Sequence, residues 1–268
     1  MIVGIDIGST TTKAVTIENG KLKMMINTRA SDAVTAATGA FGKMILENGI
    51  KMNDIERIMI TGAGASKIKN DIFGIPTKRV DEIRAIGTGG MFLSGMDNII
   101  ITNIGTGTVI IEASPKGIFH FGGSGVGGGT VYGLAKHLLP TAEYKGIMEL
   151  AQNGNLNKID LLLEDIMDSN MSFLNKGTTA SNFGKMLDTA EPGDIALGIF
   201  NMVYQVIGVL SVFAARAKNT DRVIITGNGS GNNIGQKVLS AITSMYGIQF
   251  IYPEYAEYTT AVGAGLLI

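Results

Sequence analysis

Cysteine is absent from this chain of 268 residues, and histidine occurs only twice, at His120 and His137. Without cysteine the protein cannot form a disulfide, use a cysteine nucleophile or hold a cysteine-ligated zinc or iron–sulfur site. Two histidines are too few for a histidine-rich metal site, so that class of site is excluded as well. This composition suits a cytoplasmic protein.

An excess of charge of one sign is also missing, because 22 Lys and Arg against 23 Asp and Glu give a net charge of −1. With no basic run either, the sequence argues against nucleic acid as the partner. No apolar run reaches the ~18 residues that a membrane helix needs, and no signal peptide is visible, so we expect no membrane partner. Hydrophobic residues make up 45% and charged residues 17%, which predicts a sizeable core in one large domain or two small ones.

Glycine, in contrast, is abundant at 37 residues and falls in clusters. In the opening stretch, residues 1–13, an apolar run ends in a turn of Gly8, Ser9, Thr10, Thr11 and Thr12. Since a second β-like run follows at once, this stretch predicts a hairpin whose tip could hold a phosphate on its backbone N–H groups. Asp6 within the apolar run would suit Mg²⁺ held mainly through water. An ordinary hairpin turn is the alternative for this stretch taken alone.

The elements predicted for the first third of the chain form a complete α/β unit. Strands are predicted at 2–7, 13–17, 21–28, 55–60 and 75–80, with a glycine loop at 61–64 before a short helix that ends near 72. A helix runs from an N-cap at Ser31 to about 48, where Gly49 ends it. A second helix covers about 83–93, directly after Asp81 and Glu82.

The same pattern then restarts, with strands at 98–102, 109–113 and 117–121 and a Gly/Thr turn at 105–108. Two such starts indicate an internal duplication with a cleft between the halves. The glycine run at 122–130 precedes a helix that ends near 139, and it could present bare N–H groups to an anion. A flexible linker is the alternative for that run.

The rest of the chain is expected to be mostly helical. Short helices are predicted over 141–190, of which 159–167 is the clearest, with a turn at 180–184 before another short helix. A long helix at 193–217 is apolar nearly all round and must be buried in the core or against a partner. A strand at 223–226, a glycine loop at 227–233, a helix to about 246, a strand at 248–252 and a last helix from about 259 complete the chain. This loop could accept an adenine or a ribose.

The whole chain, in order, resembles the actin/hexokinase ATPase superfamily and, within it, the type II pantothenate kinases. The matching motifs include GIDIGSTTTK at 4–13, VDEIRA at 80–85, NIGTGT at 103–108, GGSGVGGGTVYGL at 122–134, TASNFG at 179–184 and TGNGSGNN at 226–233. The resemblance implies an α/β fold of two duplicated ribonuclease-H-like β-β-β-α-β-α halves with a nucleotide cleft between them. The expected halves are 1–97 and 98–268, the second with a helical insertion at about 141–190.

The resemblance also implies a function, which is phosphorylation of pantothenate to 4'-phosphopantothenate, the first step of coenzyme A biosynthesis, with ATP and Mg²⁺. It further implies a homodimer formed through the C-terminal halves. Glu82 looks like the catalytic base, Lys13 like the cation that meets the transferring phosphoryl group, and Asp6 like the carboxylate of the magnesium site. The alternatives are a helix-dipole carboxylate for Glu82 and a solvated edge-strand lysine for Lys13.

The remaining site residues follow from the same motifs. The residues implied for nucleotide binding are Gly8, Ser9, Thr10, Thr11, Thr12, Lys13, Gly105, Thr106, Gly107, Thr108, Gly127, Gly128, Gly129, Gly227, Gly229, Ser230 and Asn232. Those implied for substrate binding are Asn103, Val109, His120, Gly122 and Gly123.

Two departures from the family pattern concern the acceptor. His120 stands where the family carries an arginine that holds the acid group of the substrate, and Val109 stands where it carries a serine. A histidine is a weaker, monodentate partner of a carboxylate, so another small hydroxylated acid or amide is the alternative acceptor. An activator of 2-hydroxyacyl-CoA dehydratases opens with a similar turn, but its cluster needs cysteines. A nucleotide-binding regulator without turnover is the third class.

Overall fold

The computed structural model describes residues 1–29, 32–167 and 176–267. The first half of the chain consists of β1 (Ile2–Ile7), β2 (Thr12–Glu18), β3 (Lys21–Thr28), α1 (Ala33–Asn48), β4 (Arg57–Thr61), β5 (Thr77–Arg79) and α2 (Glu82–Ser94). The second half consists of β6 (Ile99–Ile104), β7 (Thr108–Ser114), β8 (Gly117–Ser124), α3 (Gly128–Leu138), α4 (Tyr144–Gln152), β9 (Leu161–Leu162), β10 (Thr179–Ser181), α5 (Pro192–Ala217), β11 (Arg222–Thr226), α6 (Asn233–Tyr246), β12 (Gln249–Ile251) and α7 (Thr259–Leu266).

The two halves build two sheets of the same topology. The first sheet has the order β3-β2-β1-β4-β5, and the second has the order β8-β7-β6-β11-β12. In the first sheet, β1 pairs antiparallel with β2 and parallel with β4. In the second sheet, β6 pairs antiparallel with β7 and parallel with β11. The predicted duplication and the α/β fold class are therefore confirmed, whereas the predicted division at residue 98 stays a prediction.

The duplication extends to the backbone of the loops that follow β4 and β11. Gly62 and Gly227 begin these loops with φ of 87° and 83°, in the region that favours glycine. A Cβ on Gly62 would lie 2.7 Å from the Ile7 carbonyl oxygen, and a Cβ on Gly227 would lie 2.6 Å from that of Ile104. A single 3-10 turn follows each glycine. The two loops are therefore structural equivalents, one in each half.

Each half has its own hydrophobic core. In the first half, the buried side chains of β1 pack against α1, with Phe41 and Met44 fully buried. In the second half, α5 packs against β6, α3, α4 and α6, with Phe200 and Ile207 fully buried. Among the described residues, α5 is the one helix long and apolar enough to cross a membrane, and 61% of its most apolar stretch is buried inside the protein. The expectation of a buried helix at 193–217 is confirmed.

Helices α2 and α7 lie between the two sheets and cross at very short distance. A Cβ on Gly89 of α2 would lie 2.0 Å from the Thr259 carbonyl oxygen, and a Cβ on Gly263 of α7 would lie 1.7 Å from that of Ala85. α7 also packs on β1, where a Cβ on Gly4 would lie 2.1 Å from the Ala261 carbonyl oxygen. These contacts leave no room for a side chain, so glycine is required at the crossing.

Two local predictions need revision near the ends of elements. Ser31, the predicted N-cap of α1, lies outside the described residues, and the Asp32 carboxylate caps the helix by accepting from the Thr35 N–H at 2.7 Å. The predicted stop at Gly49 is confirmed by its φ of 63°. Strand β8 extends to Ser124, beyond the predicted end at 121, so Gly122 and Gly123 lie in a strand and not in a loop.

The prediction for residues 141–190 is wrong in detail. The helix lies at α4, whereas 159–167 contains only the short strand β9 and a 3-10 turn, and no helix follows 180–184 in the described part of that segment. The reason is a buried carboxylate. Asp160 accepts hydrogen bonds from the Asn201 amide at 2.7 Å, the Phe183 N–H at 2.9 Å and the Thr179 hydroxyl at 3.0 Å. These distant partners hold the chain in an irregular conformation, which local periodicity cannot indicate.

The α2–α7 crossing yields a stability prediction. We expect Gly263→Ala to lower the free energy of unfolding by about 3 kcal/mol, because the new methyl group overlaps a backbone oxygen that cannot move aside. Gly39→Ala on α1 is the matched control, since a Cβ there meets nothing within 4 Å. It should raise the free energy of unfolding by roughly 0.5–1 kcal/mol. Urea unfolding checks both, and equal effects of the two variants would contradict the crossing geometry.

Candidate active site

The two Gly/Thr turns of the halves meet at the cleft. The Ser9 hydroxyl in the β1–β2 turn and the Thr106 hydroxyl in the β6–β7 turn lie 2.6 Å apart, although 97 residues separate them in the sequence. Each turn is closed by its own backbone, since the Gly8 N–H donates to the Thr11 carbonyl at 3.1 Å and the Gly105 N–H to the Gly107 carbonyl at 2.9 Å. The structure therefore brings the two predicted phosphate turns to one place.

The threonines of these turns differ in what they can contact. Thr10 is exposed at the tip of its turn. Thr12 and Thr108 are the first residues of β2 and β7, and their side chains are buried. The Thr108 hydroxyl donates to the Val126 carbonyl at 2.8 Å, so this side chain ties the turn to the glycine run that follows β8. These two positions support the turns and leave ligand contacts to their neighbours.

Lys13 reaches across the cleft to the second half. Its side chain is 3% exposed, which rules out the alternative of a solvated edge-strand lysine. The ammonium donates to the Asn228 amide oxygen and, at 2.6 Å, to the Glu257 carbonyl. Burial lowers the pKa of Lys13, and the charges of Asp6 and Glu257 oppose that effect. Lys13 is thus a buried cation at the junction of the halves.

Asn228 lies in the loop predicted to accept the adenosine, but it is not among the residues that the sequence motifs implied for nucleotide binding. Its amide accepts from Lys13 and donates to the Thr11 hydroxyl at 3.1 Å, so it contacts both β2 and the β1–β2 turn. The duplication contains the signal that would have singled it out. The equivalent loop of the first half reads TGAGAS where this loop reads TGNGSG, so Ala63 stands where Asn228 stands in the second half.

Asp6 is on β1, where it lies opposite Lys13 of β2 on one side and opposite Thr61 of β4 on the other. Burial raises the pKa of this carboxyl to about 7, while Lys13 opposes the rise and Glu82 adds to it. Within the described ranges, Asp6 takes part in no ion pair shorter than 4 Å. The arrangement is a largely enclosed carboxylate whose natural partner, Lys13, is directed to other acceptors.

Glu82 is the first residue of α2. The capping role at this helix belongs to Asp81, whose carboxylate accepts from the Arg84 N–H at 2.9 Å, so Glu82 is not needed as a cap. Glu82 is an exposed residue, and partial burial of its carboxyl raises its pKa, to which the neighbouring Asp81 charge adds. The charge of Glu82 in turn raises the pKa of Asp6, so the two carboxylates interact electrostatically. A carboxylate at a strand-to-helix junction can accept a proton.

The last three glycines before and at the start of α3 do not present bare N–H groups, and for these residues the expectation is wrong. The Gly128 N–H donates to the Gly105 carbonyl and the Gly129 N–H to the Thr106 carbonyl, both at 2.9 Å, while the Gly127 N–H donates to the Thr130 hydroxyl. A Cβ on Gly127 would lie 2.7 Å from the Thr106 carbonyl oxygen. The glycines therefore allow the start of α3 to pack directly on the backbone of the phosphate turn.

The loop after β11 is held rigid by its own polar groups. The Ser230 hydroxyl donates to the Gly227 carbonyl at 2.7 Å, and the Tyr204 hydroxyl donates to the Gly229 carbonyl at 2.7 Å. Asn232 caps α6 by accepting from the Gly235 N–H at 2.8 Å and donates to the Tyr144 hydroxyl at 2.6 Å. The side chains predicted for nucleotide binding thus shape the loop, and its backbone is what remains for a ligand.

The residues predicted for the acceptor lie on neighbouring strands of the second sheet. Asn103 lies opposite Val109, and Val109 lies opposite Gly123. The Asn103 amide oxygen accepts from the Thr226 hydroxyl at 3.0 Å. Gly122 pairs with Ile110, one position farther along β7. Val109 packs against the cluster that covers α2, the helix that begins with Glu82, so these strands face the helix that carries the proposed base.

His120 is exposed and pairs with Ile111, beyond an irregularity in the β7–β8 register. Because a regular register would pair it with Glu112, the irregularity brings His120 one position closer to Val109 along β7. A separate cavity of about 800 Å³ lies on the first half and contains none of the predicted site residues. Its lining consists of Ile60, Ile68, Lys69, Asn70, Asp71, Thr77 and Arg79. It contains neither phosphate turn, so we do not assign the reaction to it.

Residues 98–267 match the family model described as Fumble. The type II pantothenate kinase of Bacillus cereus is 31% identical over 223 residues, which cover 79% of this chain and 81% of the relative. The type II pantothenate kinase of Staphylococcus saprophyticus is 28% identical over 277 residues, which cover 98% of this chain and 99% of the relative.

Solved structures with the same fold have different activities. The activator of the 2-hydroxyisocaproyl-CoA dehydratase from Clostridium difficile with bound ADPNP superposes with a TM-score of 0.68 at 18% identity, covering 99% of this chain and 92% of the activator. A ROK family glucokinase from Streptomyces griseus in complex with glucose and AMPPNP superposes with a TM-score of 0.61 at 16% identity. The match covers 99% of this chain and 98% of the glucokinase. At these identities the likeness shows the fold alone.

The enclosed Asp6 carboxylate yields a stability prediction. Its folded pKa of about 7 lies above the ordinary value of 3.8, so the folded state binds the proton more tightly and stability falls as the pH rises between these values. Above pH 7 the free energy of unfolding is lowered by the whole cost of ionising the Asp6 carboxyl in the folded state. That cost would be at most about 4 kcal/mol, and contact of the carboxylate with cleft water reduces it to roughly 1–2 kcal/mol.

We therefore expect Asp6→Asn to raise the melting temperature at pH 8 and to change it little at pH 4.5, in buffer without divalent cation or nucleotide. Asp97→Asn is the matched control at an exposed aspartate and should have no such pH-dependent effect. Thermal melts at the two pH values check this, and a gain for Asp6→Asn that is equal at both would contradict the burial argument.

Proposed function

The chain belongs to the Fumble family, and since its curated relatives are type II pantothenate kinases, we propose that it phosphorylates pantothenate to 4'-phosphopantothenate with ATP. The observation that carries the proposal is the meeting of the two phosphate turns at Ser9 and Thr106, next to the interacting carboxylates Asp6 and Glu82. This product is the first intermediate on the route to coenzyme A, and we place the reaction in the cytoplasm.

Glu82 acts as the general base in this proposal. It takes the proton from the primary hydroxyl of the acceptor as that oxygen attacks the γ-phosphorus and the bond to the β,γ-bridging oxygen of ATP breaks. Its raised pKa makes the carboxylate a stronger base than an ordinary glutamate. Catalysis of this kind depends mostly on position and charge, since phosphoryl transfer requires little covalent chemistry from the protein.

The positive side of the site consists of Lys13 and the backbone of the turns. Two of the three donors of the Lys13 ammonium go to Asn228 and Glu257, which leaves one for a phosphate oxygen. The N–H groups of the β1–β2 and β6–β7 turns would hold the β- and γ-phosphates. The loop of Gly227, Gly229, Ser230 and Asn232 would accept the adenosine, with its backbone as the contact surface.

Asp6 fits a magnesium site of the kind that uses one carboxylate, water and substrate phosphates. Among the described residues there is no group of three or more His, Asp or Glu that could hold a metal ion by itself, so the nucleotide would complete the coordination. Bound Mg²⁺ would neutralise charge on the phosphate oxygens. The Asp6 carboxylate, free of an ion pair, would orient the hydration shell of the ion.

For the acceptor we propose the surface between Glu82, the β6–β7 turn and the glycine run after β8. Val109, opposite both Asn103 and Gly123, supplies an apolar wall, and Gly122 and Gly123 leave room beside it. His120 is the proposed partner of the pantothenate carboxylate, through one hydrogen bond in place of the fork that an arginine offers. Its exposure allows the side chain to reach over the strand edge.

We also propose a homodimer formed through the second half. Helix α5 buries one face inside the protein, while its other face carries a partly exposed apolar stripe of Met202, Val206, Val209 and Phe213. The spacing of these residues places them in a row along the helix. Phe213 is 58% exposed. A continuous apolar row on a helix favours a symmetric contact with a second copy.

The dimer can be tested by light scattering at micromolar concentration. We expect the mass of a dimer for the unchanged protein and that of a monomer for Phe213→Glu, because a charge in the row must be desolvated for the contact to form. Leu46→Glu is the matched control, since Leu46 is 83% exposed on a helix of the first half, and it should remain a dimer. A monomer mass for the unchanged protein would remove the proposal.

The kinase reaction can be tested by ADP release. We expect release that depends on pantothenate, and Glu82→Gln should lower turnover by a factor of about a hundred or more, the scale of a general base. Nucleotide affinity should be unchanged in that variant. Glu56→Gln, at an exposed glutamate outside the site, is the control and should keep full turnover.

Three other outcomes would each contradict part of this proposal. Full turnover of Glu82→Gln would remove the base assignment. ADP release with other small hydroxylated acids or amides, but not with pantothenate, would change the acceptor. Tight nucleotide binding with no release for any acceptor would indicate a regulator.

A further inference from the structure

Asp6 and Lys13 are direct neighbours across the β1–β2 hairpin. Side chains at such opposed positions project from the same face of the sheet, with Cβ atoms about 4.5–5.5 Å apart. A flexible lysine in that position would ordinarily close on the carboxylate. The Lys13 ammonium instead donates to two neutral oxygens of the second half, those of Asn228 and of the Glu257 main chain.

Asn228 is fixed on both sides of its amide. The oxygen accepts from Lys13 and the nitrogen donates to the Thr11 hydroxyl at 3.1 Å, so the side chain cannot turn over without losing both contacts. The Glu257 carbonyl is part of the main chain and cannot be removed by substitution. Asn228 is therefore the side chain that directs Lys13 away from Asp6.

The loop itself does not need this asparagine. The equivalent loop of the first half forms the same positive-φ glycine and 3-10 turn with Ala63 in the corresponding position. An amide at this place is thus unnecessary for the backbone conformation. Its contacts with Lys13 and Thr11 are what distinguish it from its counterpart, which indicates a role in the site.

We propose that Asn228 is a positioning residue that holds Lys13 on the second half and so keeps the Asp6 carboxylate available to bind a divalent cation at the nucleotide phosphates. The inference rests on the proposed function, because it takes Asp6 as the carboxylate of the magnesium site. Without the Asn228 amide, Lys13 loses one of its two acceptors and turns to the nearest carboxylate, Asp6. An internal ion pair then competes with the metal ion.

The test uses Mn²⁺ as the probe and the full-length protein with saturating ADP, titrated by calorimetry or electron paramagnetic resonance. We expect Asn228→Ala to weaken Mn²⁺ binding about two- to fivefold, the scale of one ion pair. Binding of ADP in the presence of a chelator should change less than twofold. Ser66→Ala, an exposed hydroxyl on the equivalent loop of the first half, is the control and should leave both unchanged.

A double-mutant cycle separates this role from a structural one. In a Lys13→Met background the competitor for Asp6 is gone, so adding Asn228→Ala should no longer weaken Mn²⁺ binding. An equal loss in both backgrounds would overturn the proposal, and so would unchanged Mn²⁺ affinity in Asn228→Ala. A loss of metal-free ADP binding that matches the loss of Mn²⁺ binding would instead make Asn228 a nucleotide contact.

Failure of the proposed function can be told apart from failure of this inference. Asp6→Asn should weaken Mn²⁺ binding at least as much as Asn228→Ala, and if it does not, Asp6 is not the metal carboxylate and the inference falls. If metal binding behaves as expected but pantothenate is not phosphorylated, the acceptor assignment fails while the role of Asn228 stands.

Discussion

The crossing of α2 and α7 is the constraint on which the site depends. α2 begins with Glu82, and α7 packs on the strands that carry Asp6 and Lys13. Because Gly89 and Gly263 let backbone meet backbone at this crossing, the proposed base and the proposed metal carboxylate are positioned by main-chain contacts that side-chain motion cannot loosen. A packed crossing is not continuously deformable. The distance between the two carboxylates is therefore a property of the fold and depends little on local loops.

The duplication of the fold explains the shape of the cleft, and the positions at which the two halves differ explain the proposed chemistry. By register, Asp6 corresponds to Asn103, Lys13 to Val109 and Thr61 to Thr226. The first half thus carries a charged pair where the second half is neutral. Both halves supply a turn that can hold phosphate. Only the first half supplies the carboxylate and the ammonium, and in the proposed function this asymmetry would place the metal ion and the transferred group toward the first half.

Much of this arrangement could be predicted from the sequence, because its signals are local. The hairpin at Gly8, the helix stop at Gly49 and the apolar helix α5 follow from turn chemistry, a left-handed cap and hydrophobic pattern. The errors share one physical cause, which is contact between residues distant in sequence. Asp160 takes its partners from residues 179–201, and the N–H groups of Gly128 and Gly129 are used by a turn more than twenty residues earlier. No periodicity encodes such contacts.

The site concentrates negative charge, and this has a consequence for how it works. The charge of Glu82 adds to the cost of ionising Asp6, and the charge of Asp81 adds to the cost of ionising Glu82. A ligand-free cleft is therefore an unfavourable place for carboxylates at neutral pH.

A bound cation reverses this, because it compensates the charges that destabilise the free protein. Part of the free energy of cation binding is accordingly relief of this repulsion, and it contributes to the stabilisation of the protein by the bound ligand. Lys13 supplies only part of that relief, because Asn228 and Glu257 hold its ammonium by hydrogen bonds. In the proposed function, the same contacts that leave Asp6 without an ion pair thus favour a ligand that brings its own positive charge.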